Sequence, residues 1–485
     1  MNPIPLQTLA DWASATYRPP LDSTPAPAAI TALSIDSRKL APGTLFFALP
    51  GERADGHDFL SAVAPAGAAA VVRADYPADR LPPSAALLIH PDPTAALLAI
   101  ARAYRQTFAA ATTVVAIAGS LGKTTTKELT ADSLSVLGPT IRTAANLNNQ
   151  LGLPLSLSRL ESGTRFGVFE VGISHPGEMP PLADAIRPDA VLYTTIGPVH
   201  LENFPSVEAI AEEKARLLDA LTPGGIAVLD ASSPYYPILR RHALPRRARI
   251  LTTAPAAARI PADFLSAPDP ADPIGRALIT ETATSETVSL PLPPPGAHMV
   301  ANLLPAVALA RTLGASWDAL RDVLRAPSAA PMRWERSTLA DTGLHLVNDA
   351  YNANPISMSA AIDAFLALPP PAPDSRRHLA VGPMLELGPI AADAHRELGR
   401  HLAQAAASAT AHVASVTILD TYPPASPLAH AIADAYAAAH GPAPVLLATD
   451  YPTAAAHIRA HSHPSDLLLL KASRGLHLEK LVPLL

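Results

Sequence analysis

Residues Thr112–Glu128 read TTVVAIAGSLGKTTTKE, and the reading of this stretch decides the fold around it. Its first half is β-branched and apolar, the composition of a buried strand. Gly119, Ser120, Leu121 and Gly122 then make a turn, and a run able to open a helix begins at Lys123. Such a turn gathers successive backbone N–H groups and the positive end of a helix around one point. That point suits a phosphate. Lys123 would reach the β/γ-phosphates, and the Thr124 hydroxyl would ligate Mg²⁺. The spacing is GxxGKT, however, and Ile117 stands where the first glycine of the commoner GxxxxGKT loop would be. The stretch points to a nucleoside triphosphate without pointing to the common P-loop NTPases.

The whole chain sets wider bounds. Its 485 residues have room for two to four domains with ample core. The net charge is −6 and no basic tract occurs, which argues against nucleic acid or a membrane surface as partner. There is no cysteine, so disulfides, thiolate catalysis and zinc–sulfur sites are excluded, and a reducing compartment is compatible. The opening MNPIPLQTLADWASATY lacks the basic and apolar regions of a secretory signal. No apolar run reaches transmembrane length.

Before the phosphate loop, the first hundred or so residues read as a small α/β domain. Leu45–Leu49 is a strand candidate between the turns Pro42-Gly43 and Pro50-Gly51. Ser37 and Arg38 fall in a loop, where an arginine can hold a phosphate bidentately, although such a pair is commonly just solvated. Asp92–Phe108 has helical periodicity and leads into the next domain.

From about Thr112 to Ala326, strands and helices alternate. The strands are that of the phosphate loop, Gly167–Val171, Ala190–Thr195 and Gly225–Leu229. Repeated βα units imply a mainly parallel sheet covered by helices, with ligands at the carboxyl ends of the strands. Glu170 ends one strand, His200 lies just beyond another, and Lys214 follows on the helix AIAEEKARLLDAL. Each alone is commonly a solvated residue. Their shared placement at the phosphate end admits a metal site as well. Ala254–Pro273 and Pro291–Gly296 are rich in Pro and Ala and read as loops. Gly296–Ala310 then starts a helix carrying Asn302.

Past Pro331-Met332-Arg333 a further α/β layer is expected. Its strands are His345–Asn348, His378–Gly382, Val416–Leu419, Val445–Ala448 and Leu467–Lys471. The divisions drawn are 1–108, 109–328 and 329–485.

In order along the chain, SIDSR…PGTLFFALPGERADGHDF, GSLGKTTTKE, TAANLNNQLGLP, EVGISHPGE, GPVHLENF…EEK, GAHMVANLLPAVA, NDAYNANPISM with PMLELG, and KASRG resemble the blocks of the Mur ligase family. These are ATP-dependent amide-forming enzymes of cell-wall synthesis. YNANP is the most telling block, since members adding other amino acids usually differ there, and the DNPR-type motif of diaminopimelate addition is absent. The resemblance implies three domains. They are a small N-terminal α/β uridine-nucleotide domain, a central P-loop parallel-sheet ATPase domain and a C-terminal Rossmann-like α/β domain. It implies a cytoplasmic, monomeric enzyme that uses ATP and Mg²⁺ to join D-Ala-D-Ala to UDP-N-acetylmuramoyl-tripeptide.

Carried onto this chain, the resemblance implies that Gly119, Ser120, Gly122, Lys123, Thr124 and Thr125 hold ATP phosphates, with Thr124 on Mg²⁺. Glu170, His200 and a carbamylated Lys214 would hold a second metal. Asn302 would face adenine, Arg333 the γ-phosphate and Asp349 the ribose, with Tyr351 and Asn352 beside the nucleotide. Ser37 and Arg38 would take the uridine-nucleotide end, and Asn146 and Asn149 the substrate channel. Glu386, Lys471 and Arg474 would hold the incoming dipeptide. Four positions depart from the family pattern: Leu121 stands for the usual Asn, Ala145 for Gly, Pro383 for Asp and Ala472 for Gly. Another Mur-type amino-acid ligase, folate polyglutamylation by a related architecture, and a non-catalytic nucleotide- or precursor-binding paralogue are the alternatives.

Overall fold

The structure is a computed structural model that describes residues 1–51, 54–292, 296, 299–328, 330–408, 412–421 and 427–485. Among these residues lie three sheets, of five, nine and six strands, in that order along the chain. Pro293–Pro295 of the expected loop Pro291–Gly296 fall outside the described residues.

The strand Thr113–Ala118 shows why the central apolar run is continuous. Val114, Ala116 and Ala118 enter one hydrophobic cluster, while Val115 and Ile117 enter another on the opposite face. A strand covered on both sides has no solvent face to mark with polar residues. It pairs in parallel with Phe166–Glu170 and with Ala190–Tyr193, and so sits in the interior of the nine-stranded sheet. Its carboxyl end runs into the turn, and the helix Lys123–Ser135 starts behind Gly122, which caps it in the left-handed conformation.

The sheet extends further than the sequence reading expected. Ala254–Pro273, read as a loop, contains the end of the strand Arg249–Pro255 and a parallel partner, Phe264–Pro268. The antiparallel hairpin Arg276–Glu281 and Glu286–Pro291 then closes that edge. Short alternations such as Phe264, Ser266 buried and Leu265, Ala267 half-buried are easily hidden by flanking prolines. The helix expected over AIAEEKARLLDAL is α-helical over Val207–Ala215 and tightens to a 3₁₀ segment at Arg216–Ala220.

The helix Pro93–Gln106, capped by the Asp92 carboxylate on the N–H groups of Thr94 and Ala95, joins the first two sheets. Its Ala96, Leu97 and Ile100 belong to the N-terminal core, and its Ala101 and Tyr104 to the central core. In the C-terminal sheet Glu335–Thr338 is antiparallel to its neighbour, and the five strands that follow are parallel. The fold class is thus α/β with three domains. Among the described residues no helix is long and apolar enough to cross a membrane.

Two consequences can be tested. Ala145 holds φ 48°, in the left-handed region, on an exposed loop. Relief of that strain outweighs the extra chain entropy of glycine, so Ala145→Gly should gain about 0.5–1 kcal/mol in urea unfolding. A loss of stability would contradict this. In the C-terminal core, His378 and His395 are wholly buried. His378 lies between the Ser415 hydroxyl, 2.8 Å away, and Asp466, 3.1 Å away. His395 accepts the Met384 N–H at 2.8 Å. Burial pushes both imidazoles below the ordinary histidine value, so they stay neutral when folded and take up protons on unfolding. Stability should therefore fall as pH drops from about 7.5 to 5.5, through the unfolded value of about 6.5. A flat profile over that window would show that these histidines do not couple to folding.

Candidate active site

The phosphate loop is closed on itself by its neighbours. The N–H groups of Ser120 and Leu121 both donate to the Thr195 carbonyl, at 2.8 and 3.1 Å. Lys123 Nζ donates to the Ser120 carbonyl at 3.1 Å. Neither glycine can be replaced freely. A Cβ on Gly119 would lie 2.0 Å from Thr194 Oγ1, and one on Gly122 would lie 2.0 Å from Asn302 Oδ1. Asn302, on the helix Val300–Thr312, is thereby packed against the start of the phosphate helix, where Thr126 donates to it at 3.4 Å.

Behind the loop stands Glu170, 3% exposed at the end of its strand. One carboxylate oxygen accepts the Thr124 hydroxyl and the other the Asn148 amide, both at 2.8 Å. Its own N–H donates to the Thr143 hydroxyl. Asn148 and Thr143 were not singled out from the sequence. They lie in an irregular loop, where no period marks which side chain turns inward; the Asn-rich run ANLNNQ was the only signal.

A cavity of about 200 Å³ opens between the central and C-terminal domains. From one side come Ser120, Gly122, Lys123, Thr124, Thr125, Glu170 and Asn302. From the other come Arg333, Asp349, Tyr351, Asn352 and Lys471. Trp334 and Ile356 also line it, and neither was expected. Arg333 lies over the Tyr351 ring at 4.3 Å, between Met332 and Trp334, which both hold φ 56°. Lys471, expected at the dipeptide, spends its ammonium on Asp349 Oδ2 at 2.6 Å and on the Asn352 carbonyl at 3.2 Å. Asp349 also accepts the Trp334 N–H at 3.2 Å. The cavity wall thus carries Lys123, Arg333 and the buried Glu170, while Lys471 is paired with Asp349.

Lys214 is 1% exposed. The sequence allowed an exposed lysine among helix glutamates, and the structure removes that option. Glu212 turns to Arg241 and His242, while Glu213 accepts the N–H groups of Gly177 and Met179 at 2.9 and 3.1 Å. Among the described residues no hydrogen bond or ion pair reaches the Lys214 ammonium. Burial, followed by the repulsion of Lys123, pushes its pKa well below the ordinary lysine value, against the pull of Glu170, Glu178 and Glu213. Lys123 is lowered too, chiefly by burial.

The remaining expected residues lie apart from the cavity. His200 pairs through Nδ1 with Glu386 of the C-terminal domain at 3.1 Å. Both residues hold left-handed backbone, φ 54° and 62°. The hydrogen bond from His200 is the main cause of the lowered Glu386 pKa. Arg38 forks onto Asp36 at 2.8 and 3.0 Å, next to Ser37 in a short 3₁₀ turn. Asn149 caps the N–H groups of Leu151 and Gly152, and Asn146 is exposed. Arg474 holds Glu479 at 2.6 Å. Among the described residues no group of three His, Asp or Glu side chains is poised for a metal.

Three family descriptions match the chain: "Mur ligase family, catalytic domain" over residues 29–104, "Mur ligase middle domain" over 117–310 and "Mur ligase, glutamate ligase domain" over 332–474. UDP-N-acetylmuramoyl-tripeptide–D-alanyl-D-alanine ligase of Escherichia coli (strain K12) is 36% identical over 370 residues, 76% of this chain and 78% of that protein. MurF from Acinetobacter baumannii superposes with a TM-score of 0.81 at 27% identity, covering 100% of this chain and 98% of that one. MurF from Thermotoga maritima in complex with ADP gives 0.73 at 25% identity, covering 93% and 96%. With a phosphate loop facing a second α/β domain across one cavity, and matches of this extent along its length, the chain belongs to the Mur ligase family.

Proposed function

We infer that the protein is an ATP-dependent ligase that joins D-alanyl-D-alanine to UDP-N-acetylmuramoyl-tripeptide, releasing ADP and phosphate and yielding a peptidoglycan precursor. The observation that carries the reading is the cavity shared by two domains, with Lys123 on one wall and Arg333 on the other. The divisions after residues 108 and 328, a cytoplasmic location and a monomeric state belong to the same reading.

Charge dictates the chemistry. The tripeptide carboxylate attacks the γ-phosphorus of ATP, and the bond to ADP breaks. The amine of D-Ala-D-Ala then attacks the acyl carbon, phosphate leaves, and the nitrogen gives up a proton. Two anions meet in the first step, so Lys123 and Arg333 act where negative charge concentrates. The acyl phosphate must be kept from water until the amine arrives, a task for the closed cleft. Asn302 and Tyr351 hold the nucleoside, and Asp349, fixed by Lys471, is set for the ribose. Ser37 and Arg38 serve the uridine end once Arg38 turns from Asp36. Asn146 and Asn149 line the tripeptide path, with Glu386 and Arg474 toward the dipeptide.

The oxygen donors Thr124 and Glu170 suit a hard cation, and these are the residues that would hold Mg²⁺. When bound, it supplies charge against the γ-phosphate. A second metal on Glu170, His200 and Lys214 requires His200 to leave Glu386, and it requires Lys214 to become an anionic carbamate. Burial of the amine pushes its pKa down and so favours the neutral form that reaction with CO₂ demands.

Substrate choice is tested by product mass. UDP-muramoyl-tripeptide plus D-Ala-D-Ala should give the pentapeptide with ADP release that needs both. Glutamate, lysine or diaminopimelate offered with shorter precursors should react poorly, and addition of a single L-amino acid to the dipeptide precursor would overturn the assignment. Lys214→Ala should lower kcat by about a hundredfold or more while circular dichroism is unchanged, with partial rescue by acetate or formate. Lys214→Arg should fail as well, because a guanidinium keeps its charge. Near-normal turnover by Lys214→Arg would exclude the carbamate.

A further inference from the structure

Leu121 is the apolar residue at the tip of the phosphate loop, and its backbone is already committed. Its N–H and that of Ser120 are bound by the Thr195 carbonyl, so the tip offers its side chain. Opposite stands Ile356 of the C-terminal domain, 51% exposed and one of few large hydrophobic residues left so. Its place is rigid. It is the second residue of the helix Pro355–Leu366, whose start is locked by reciprocal bonds between Asn354 and Ser357 at 2.9 and 3.1 Å. Both side chains line the same cavity.

They converge over Gly197. A Cβ built there would lie 3.8 Å from Leu121 Cδ1 and 3.9 Å from Ile356 Cδ1, so the tips of both side chains flank the same glycine. Other approaches across the cleft are of a different kind: the ion pair His200–Glu386, and Gly388 against the backbone of Leu201 and Glu202. We propose that Leu121 and Ile356 form an apolar clasp over Gly197 through which closure of the C-terminal domain positions the phosphate loop. Leu121 is then a positioning residue rather than a nucleotide ligand. An apolar contact of this kind gains only when both surfaces leave water together, and it excludes water beside the acyl phosphate. The idea rests on the ligase reading and adds to it a residue whose polar counterpart could not make the contact.

The test is a double-mutant cycle of Leu121→Asn and Ile356→Ala, with Leu121→Met as the conservative variant. Because the chain has no cysteine, spin labels can be placed on Arg240→Cys and Gln404→Cys alone, and the interdomain distance read with and without ATP. Each single change should lower kcat by roughly five- to tenfold while the ATP KM moves less than about threefold. In the Leu121→Asn background Ile356→Ala should add nothing further, Leu121→Met should keep most of the activity, and the closed-distance population should fall alike in both single variants. Multiplicative losses, an unchanged closed population, or a rise in ATP KM with kcat intact would overturn the clasp. Should the parent enzyme release no ADP with tripeptide and dipeptide, the ligase reading fails, and the label distances with ATP alone still decide the clasp.

Discussion

A buried carboxylate has to be answered, and the architecture around the phosphate loop follows from how Glu170 is answered. Left without partners in the interior it would cost several kcal/mol. The Thr124 hydroxyl and the Asn148 amide each take one oxygen, tying the phosphate helix and the loop after Arg142 to the sheet. A second tier stands behind them. Lys127 donates to the Thr143 carbonyl and to Glu128, Arg142 bridges Glu128 and Asp132, and Asp132 receives the N–H and hydroxyl of Ser328. Ser328 lies in the segment leading to the C-terminal domain. Lys127, Glu128 and Asp132 of the phosphate helix are therefore linked in one chain of contacts from the strand of the buried carboxylate to the start of that segment.

The cleft itself is held differently. Its two sides meet through His200 and Glu386, both on strained left-handed backbone. Arg333 is flanked by two more such residues. Conformations of this kind cost of order 1–3 kcal/mol each and persist where surrounding structure imposes them. The pair beside Arg333 fixes the backbone on either side of a cation that lines the cavity.

Much of this was legible from the residues. Thr113–Ala118 announced itself because both of its faces are buried, and Gly122-Lys123-Thr124 because a phosphate needs N–H groups and a cation at one point. Asn302, Arg333, Asp349 and Tyr351 could be expected near the nucleotide only through ordered blocks far apart in the chain. What stayed hidden has a common cause. The hairpin Arg276–Pro291 is short and follows a Pro-rich segment, the pairing of His200 with Glu386 spans two domains, and Asn148 belongs to a loop without period. Lys214 was found by its neighbours in sequence, yet its loss of solvent depends on the helix packing against Tyr193, whose hydroxyl donates to the Lys214 carbonyl at 2.7 Å. No local pattern encodes that.

The distribution of hydrophobic clusters carries a consequence for cooperativity. The helix Pro93–Gln106 contributes side chains to both the N-terminal and the central core, so neither can melt without disturbing the other. The two clusters of the C-terminal domain draw only on residues from Trp334 onward. By its hydrophobic clusters the chain divides into two units, the first two domains joined through a shared helix and the third with clusters of its own. Where the two units melt separately, each has its own unfolding free energy. A ligand that spans the cleft binds only when both units are folded, and by mass action it draws their transitions together.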